Sequence, residues 1–401
     1  MIPRNEYLDI LIRFRDKQLV KVVTGIRRCG KSTLLELFQE YLKTQGVADS
    51  QIISLNLEDG EAFDIQTSWQ LYDYVNSRLL PDQRMYVFID EPQQVTDFQK
   101  AVDSLYIKKN CDIYITGSNA YLLSGELATL LSGRYIEIKM LPLSFREYAS
   151  AFTDSRNPER LYMDYIQNGA FPYTLELSSQ KDRRLYLQGI FDTVIAKDIL
   201  TRRRFPDVLM LQSVVHFMFD NVGNTCSTKS ISDALTSAGR KTTVHTVENY
   251  LQALTDSFIL YRIGRFDIKG KQHLKTGDKY YAADLGLRRT LLGSKQADAG
   301  HILENVVFLE LLRRGYDVSI GKVGDREVDF VAVGEDGEEY FQVASTVISA
   351  DGATLERELA PLLAIRDHNP KHLLTMDLTP LTSHNGIRQV NALDWLLGTG
   401  A

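Results

Sequence analysis

The sequence predicts an α/β protein whose N-terminal part is a doubly wound parallel sheet. Three observations predict it. An apolar strand, Leu19 to Thr24, runs straight into G-x-x-x-x-G-K-S and then into an amphipathic helix from about Ser32 to Leu42. Met85 to Ile89 is apolar without alternation, the pattern of a strand covered on both faces. Strand and helix patterns then alternate as far as Met140, which sets parallel strands side by side with ligand sites at their C-terminal ends.

Taken in order, Asn5 to Phe14 reads as a short helix leading into the first strand. The loop that follows, Gly25, Ile26, Arg27, Arg28, Cys29 and Gly30, then Lys31, Ser32 and Thr33, suits a triphosphate. Such a ligand is a dense cluster of negative charge and needs donors that approach closely. Gly25 and Gly30 let the backbone curl so that N–H groups point inward, and the next helix aims its positive end at the same spot. Lys31 is placed to reach the β- and γ-phosphates, and the Ser32 hydroxyl to ligate Mg²⁺. ATP and Mg²⁺ are therefore the expected cofactors.

Ile52 to Leu57 is the second strand, ending in the turn Glu58-Asp59-Gly60. Ser68 to Leu80 has helical spacing, with Trp69, Tyr72, Val75 and Leu79 expected on its apolar side. A helix over Thr96 to Lys108, a strand over Asp112 to Thr116, a helix over Leu122 to Leu131 and a strand over Tyr135 to Met140 complete the pattern. Asp90 and Glu91 close the strand 85–89. A carboxylate there lies beside the phosphate loop, so Asp90 is expected to hold Mg²⁺ and Glu91 to polarise the attacking water. The fourth strand ends in Thr116-Gly117-Ser118-Asn119, where Asn119, or next Ser118, is expected to orient that water.

The chain has 401 residues, enough for two or three domains. Its net charge of -6 is not that of a general nucleic-acid binder, so any basic surface must be local. The 3 cysteines, Cys29, Cys111 and Cys226, lie far apart and form neither a disulfide nor a zinc pattern, which suits a reducing cytoplasm. Arg4, Glu6, Asp9, Arg13 and Arg15 interrupt the first stretch, so no signal peptide is expected, and no apolar run reaches membrane-spanning length.

The combination GIRRCGKS, YVFIDE, TGSN and SGRYIEIKMLPLSFREY resembles the AAA-type ATPases of the archaeal-ATPase-like branch, which carry a second region known as DUF4143. FPY at 171–173, EVDF at 327–330 and RELAPL at 357–362 extend the resemblance along nearly the whole chain. It implies an ASCE/AAA-type P-loop core in which Lys31, Ser32, Asp90, Glu91 and Asn119 take the roles argued above. It also implies that Arg134 is the arginine set against the γ-phosphate, in cis or across subunits, so an oligomer is compatible with it.

Four parts are expected: the ATPase core over 1–142, a helical lid and connector over 143–204, a winged-helix domain over 205–295 and a last α/β domain over 296–401. The connector ends in the basic run Arg202-Arg203-Arg204. In the third part Val208 to Phe219, Ser230 to Ala238 and Thr246 to Ser257 read as helices. A strand from Ile259, a lysine-rich turn and a return strand at Tyr280 follow, the outline of a winged helix. Thr242, Thr243, His245 and Asn249 stand at the front of its third helix, and Lys269, Lys271 and Lys275 are the candidate DNA contacts. Because such folds also serve as protein-contact modules, DNA and a protein both remain as partners.

In the last part, Glu304 falls on the apolar face of the helix Ile302 to Arg314, and Glu327 and Asp329 share a face of one strand. The helix–strand–strand–strand order resembles the restriction-nuclease-like fold. That fold completes its site with E-x-K, where this chain has Gln342-Val343-Ala344. Gln342 is a poor Mg²⁺ ligand, and nothing obvious replaces the lysine. The fold without nuclease activity is expected. The chain as a whole reads as a Mg²⁺-dependent ATPase whose nucleotide state controls its C-terminal DNA- or protein-binding modules. The alternative is a nucleotide-gated switch with little turnover.

Overall fold

The computed structural model describes residues 2–123, 130–152, 157–201, 205, 207–293, 299–378 and 382–399, with only the backbone of Tyr121, Leu123, Lys275 and Thr276. The chain divides into two compact units, one formed by residues up to 142 with 256–258, the other by 143–255 and 259 onward.

The first unit is built on five parallel strands: β1 (Val20–Thr24), β2 (Ile52–Asn56), β3 (Met85–Asp90), β4 (Cys111–Gly117) and β5 (Tyr135–Lys139). Their order is β2-β3-β4-β1-β5, so β4 stands between β1 and β3. Helices Lys31–Thr44, Ser68–Asn76 and Phe98–Ile107 form the crossovers. β1, β3 and β4 are buried at every position, as the apolar run of β3 predicted for that strand. Fully burying one such side chain contributes about 1.5–3 kcal/mol. Register aligns Thr24 with Gly117 and Asn56 with Asp90, so the strands finish along one edge of the sheet.

Two details differ from expectation. The helix Ser68–Asn76 buries Leu71 and Val75, while Trp69 is 70% exposed. Leu71 and Val75 are four apart and share a face, and Trp69 lies two residues off that face. Of the helix expected over 122–131, residues 124–129 lie outside the described residues, while Leu122 and Leu131 are buried.

The second unit opens with helices Phe145–Ser150, Pro158–Asn168 and Gln180–Thr193, the last continued by a π-helical turn, Val194–Leu200. The basic run 202–204 lies outside the described residues. Helices Val208–Asp220, Thr228–Ser237 and Val244–Asp256 follow, with the short strand β6 (Thr225–Cys226) between the first two. The hairpin β7 (Leu260–Asp267) and β8 (Gln272–Ala282) comes next, then helices Leu285–Leu292 and Ala299–Arg313. Strands β9 (Asp317–Val323), β10 (Arg326–Gly334), β11 (Gly337–Ala344), β12 (Lys371–Thr375), β13 (Thr382–His384) and β14 (Ile387–Asn391) complete the unit with helices Ala353–Leu363 and Ala392–Leu397.

All the second unit's strands belong to one sheet of order β13-β14-β12-β11-β10-β9-β7-β8-β6. β7 lies parallel to β9, aligning Arg265 with Ile320. The sheet thus runs unbroken across the boundary expected at 295/296, and residues 143–204 belong to the same unit. The hairpin shares main-chain hydrogen bonds with the last region, the Ile268 N–H donating to the Lys322 carbonyl at 3.0 Å.

Candidate functional site

The loop after β1 has the curl that its glycines allow. Gly25 has φ +152°, and a Cβ there would lie 2.1 Å from the Met140 carbonyl oxygen. Gly30 has φ +105° and starts the helix Lys31–Thr44 without any side-chain cap, and no acidic residue sits in the first turn. The helix therefore keeps its first N–H groups and its positive end for an external anion. Arg4 braces the loop from behind, donating to the Cys29 and Leu141 carbonyls at 3.0 and 2.7 Å. Cys29 is buried, and burial raises its thiol above the usual range, so it packs rather than reacts.

Lys31 is buried, with its ammonium folded back onto the loop. Nζ donates to the Gly25 and Ile26 carbonyls at 2.9 and 3.3 Å and lies 3.9 Å from Glu91 Oε1. Ser32 Oγ donates to Asp90 Oδ2 at 2.6 Å. A hydroxyl and a carboxylate meeting at the foot of an uncapped helix form the oxygen donor set that Mg²⁺ accepts. Ser32 and Asp90 therefore fit the ion. Arg27 is paired with Glu58 at 2.9 Å, Ile26 is buried, Thr33 is half-buried and Arg28 is exposed.

Glu91 follows Asp90 with φ +54°, a left-handed turn that swings its side chain off the strand line. Oε2 accepts from Gln93 Nε2, and from Ser118 Oγ at 3.2 Å. Burial pushes the Glu91 carboxyl above the usual range, against the opposing pull of Lys31 and Arg27. Asn119 is buried at the end of β4, next to Ser118.

Sequence reasoning missed Thr116. Its hydroxyl donates to Asp90 Oδ1 and accepts the Glu91 N–H at 3.1 Å, tying the two acids to β4. The signal was a threonine at the C-terminal end of the strand that turned out to lie between β1 and β3.

Arg134 is not brought to this site. It precedes β5, where Tyr135 aligns with Val20 at the start of β1, whereas Lys139 aligns with Thr24 beside the loop. The intervening strand length is about 16 Å at roughly 3.3 Å per residue. Its guanidinium is bound to Asp103 at 2.9 Å and lies over the Tyr106 ring. Arg134 thus stands at the end of β5 away from the loop of its own chain.

In the second unit, Glu304, Glu327 and Asp329 do converge, but on a lysine that sequence reasoning does not place there. Lys279 of β8 sits 2.8 Å from Glu304 and 2.9 Å from Glu327, and Tyr281 donates to Glu304. The expectation that nothing stands in for the missing lysine is corrected. Lys279 and Tyr281 share a face of β8, whereas the composition of the hairpin suggests only a phosphate contact for its lysines. Gln342 Oε1 accepts the Asp329 N–H at 3.4 Å, and Gln342 Nε2 donates to Glu358 at 3.0 Å. Asp329 Oδ2 accepts from the Val343 N–H at 2.8 Å. Burial and Glu304 hold the Asp329 carboxyl well above its usual range, while the surrounding acids raise Lys279 despite its burial. Among the described residues no three His, Cys, Asp or Glu are arranged to hold a metal ion.

Lys269 and Lys271 are exposed at the turn between β7 and β8, and the Lys275 side chain lies outside the described residues. At the front of the helix Val244–Asp256, Thr243 and Thr246 share a hydrogen bond at 2.9 Å, and His245 contacts Asn249 at 3.3 Å.

An AAA domain model matches residues 17–149, the stretch that holds the loop, both acids and β4. Residues 17–149 are an AAA domain of the P-loop ATPase family. An uncharacterized protein of Haemophilus influenzae is 41% identical to this chain over 99% of both chains. An uncharacterized protein of Methanocaldococcus jannaschii is 28% identical, over 80% of this chain and 73% of its own. A Walker-type ATPase structure from Pyrococcus abyssi shares the fold, with TM-score 0.51 and 16% identity over 73% of this chain and 96% of its own. A model described as a domain of unknown function, DUF8612, matches residues 159–298 of the chain, and DUF4143 is not shown. Among its described residues no helix is long and apolar enough to cross a membrane.

Proposed function

We propose that this protein binds Mg·ATP at the loop 25–33 and hydrolyses it, and that its nucleotide state controls DNA- or protein-binding modules in the second unit. The observation that carries the reading is the meeting of Lys31, Ser32, Asp90 and Glu91 at one uncapped helix N-terminus. Ser32 and Asp90 would hold Mg²⁺, which would supply charge neutralisation for the phosphates. Lys31 leaves the Gly25 and Ile26 carbonyls for the phosphates. Glu91 takes a proton from the attacking water, which Asn119 or Ser118 orients. Arg134 serves the site of a neighbouring subunit in an oligomer.

Phosphate release from Mg·ATP by the wild type and by Lys31→Ala tests this. Loss of release in the variant is expected, and equal release from both would refute hydrolysis at this loop.

One observation favours a switch with slow turnover as the second reading. Glu91 is already engaged by Gln93, Ser118 and Lys31, so the base is occupied at rest. Tight ATP binding with negligible phosphate release, with or without DNA, would decide for it.

Helices Val208–Asp220, Thr228–Ser237 and Val244–Asp256 with the β7–β8 hairpin have the order of a winged helix, and Lys269 and Lys271 at the hairpin turn support a phosphate contact. Neutralising Lys269, Lys271 and Lys275 should weaken DNA binding and reduce the salt slope by about one for each phosphate left unneutralised. Unchanged affinity and slope would assign the module to a protein partner. The neutral Gln342, engaged by Glu358 at the position of the second acid, supports a nuclease-like fold without cleavage, and the DUF4143 likeness rests on the sequence motifs alone. The buried free thiols of Cys29, Cys111 and Cys226 support a cytoplasmic setting.

A further inference from the structure

β2 is an outer strand of the parallel sheet and pairs with β3 alone among the described residues. In such a strand every other residue turns its N–H and C=O away from the sheet, a template for another chain. Edges are ordinarily blunted by charge, proline or a bulge. The opposite edge, β5, carries Glu137 and Lys139. β2 reads Ile-Ile-Ser-Leu-Asn, with no charge and no proline, and its register with β3 is continuous.

Beside β2 lies a cavity of about 450 Å³ lined by Ile52, Ile53, Ser54, Tyr74, Arg78 and Leu80, among others. Its lining mixes isoleucines and leucines with Ser50, Ser54 and Ser77, and Arg78 is its single cation. The exposed Arg78 guanidinium lies 3.7 Å over the Tyr74 ring and donates to the Tyr74 carbonyl at 2.8 Å and to Ser77 Oγ at 3.3 Å. No carboxylate pairs with it among the described residues. A single arginine does not suit a polyphosphate chain, whose binding needs several cations in a row. It suits one carboxylate.

We propose that this groove takes an extended acidic peptide of a partner protein, added as a further strand along β2. An apolar side chain of that peptide rests on Ile52 and Leu80, and a carboxylate meets Arg78. Main-chain pairing supplies affinity and the two side-chain contacts supply choice. The inference is independent of the nucleotide reading, since it uses neither the loop nor the acids.

The test is selection from a random-sequence peptide display library on the full-length wild type. Enriched peptides are expected to carry an acidic residue next to an apolar one. Their affinity should fall about tenfold on Arg78→Glu, with Arg78→Gln intermediate and the melting temperature of both variants unchanged. N-methylating alternate amides of a selected peptide should abolish binding in one register and leave it intact in the other. No enrichment over a blank surface, equal binding to Arg78→Glu, or equal effects of both methylation registers would overturn the proposal. So would a dimer of this chain that Ile52→Lys dissolves, which would assign the edge to a second copy.

Discussion

Glu91→Gln is expected to lower kcat for ATP by about 10²–10⁴-fold, the contribution of a positioned general base, while Mg·ATP still binds. Glutamine keeps the shape of the side chain and removes the carboxylate that accepts the water's proton. KM should change little, because the interaction removed belongs to the transition state. The wild type should also show an acid limb in its pH–rate profile. Burial raises the Glu91 carboxyl, so it stays protonated, and idle as a base, to a higher pH than an exposed glutamate. Activity should therefore fall on acidification from a point above the ordinary glutamate range, and Glu91→Gln should lack that limb. Turnover in Glu91→Gln within a few-fold of wild type would remove Glu91 from the role.

Lys279→Met is expected to cost the second unit about 3–5 kcal/mol, the penalty for breaking a buried ion pair from one side. The ammonium lies against Glu304 and Glu327, and Asp329 adds a third negative charge nearby. Methionine fills similar space and leaves those carboxylates without their cation. The loss should be largest at neutral and alkaline pH. On acidification the stranded carboxylates take up protons, so the gap between variant and wild type should narrow. Adding Glu304→Gln to Lys279→Met should recover part of the loss. Thermal unfolding followed across pH checks this, and an unchanged melting temperature in Lys279→Met would show that the cluster is not held by this lysine.

Much of the nucleotide site was legible because its chemistry is local. The glycine spacing, the lysine and hydroxyl that follow it, and two acids closing an apolar strand are all set within a few residues of one another. Which strands neighbour which is not local. The insertion of β4 between β1 and β3 makes Thr116 a partner of Asp90, and no periodicity in 111–117 announces it. The same limit explains Arg134. Its motif lies just before a strand, and only the parallel pairing of β5 with β1 shows that it stands at the far end from the loop.

Buried charge was the other blind spot. Lys21 within Val-Lys-Val-Val-Thr reads as a stray polar residue, yet it is fully buried in a pair with Asp112, which also accepts from Tyr114 at 2.7 Å. By composition Lys279 is one lysine of a basic hairpin. Its true place depends on β8 lying across the end of the helix that carries Glu304, a contact between segments 25 residues apart in sequence. Trp69 failed for a different reason. Apolar residues on three sides of Ser68–Asn76 admit more than one face, and the sheet decided for Leu71 and Val75.

Calorimetric titration of ATP into the wild type and Lys31→Ala, each with and without Mg²⁺, tests the central claim most directly. One nucleotide per chain, tightened by Mg²⁺ in the wild type and weakened at least about tenfold in Lys31→Ala, is the predicted result. No saturable heat in the wild type, or the same affinity in both proteins, would contradict it.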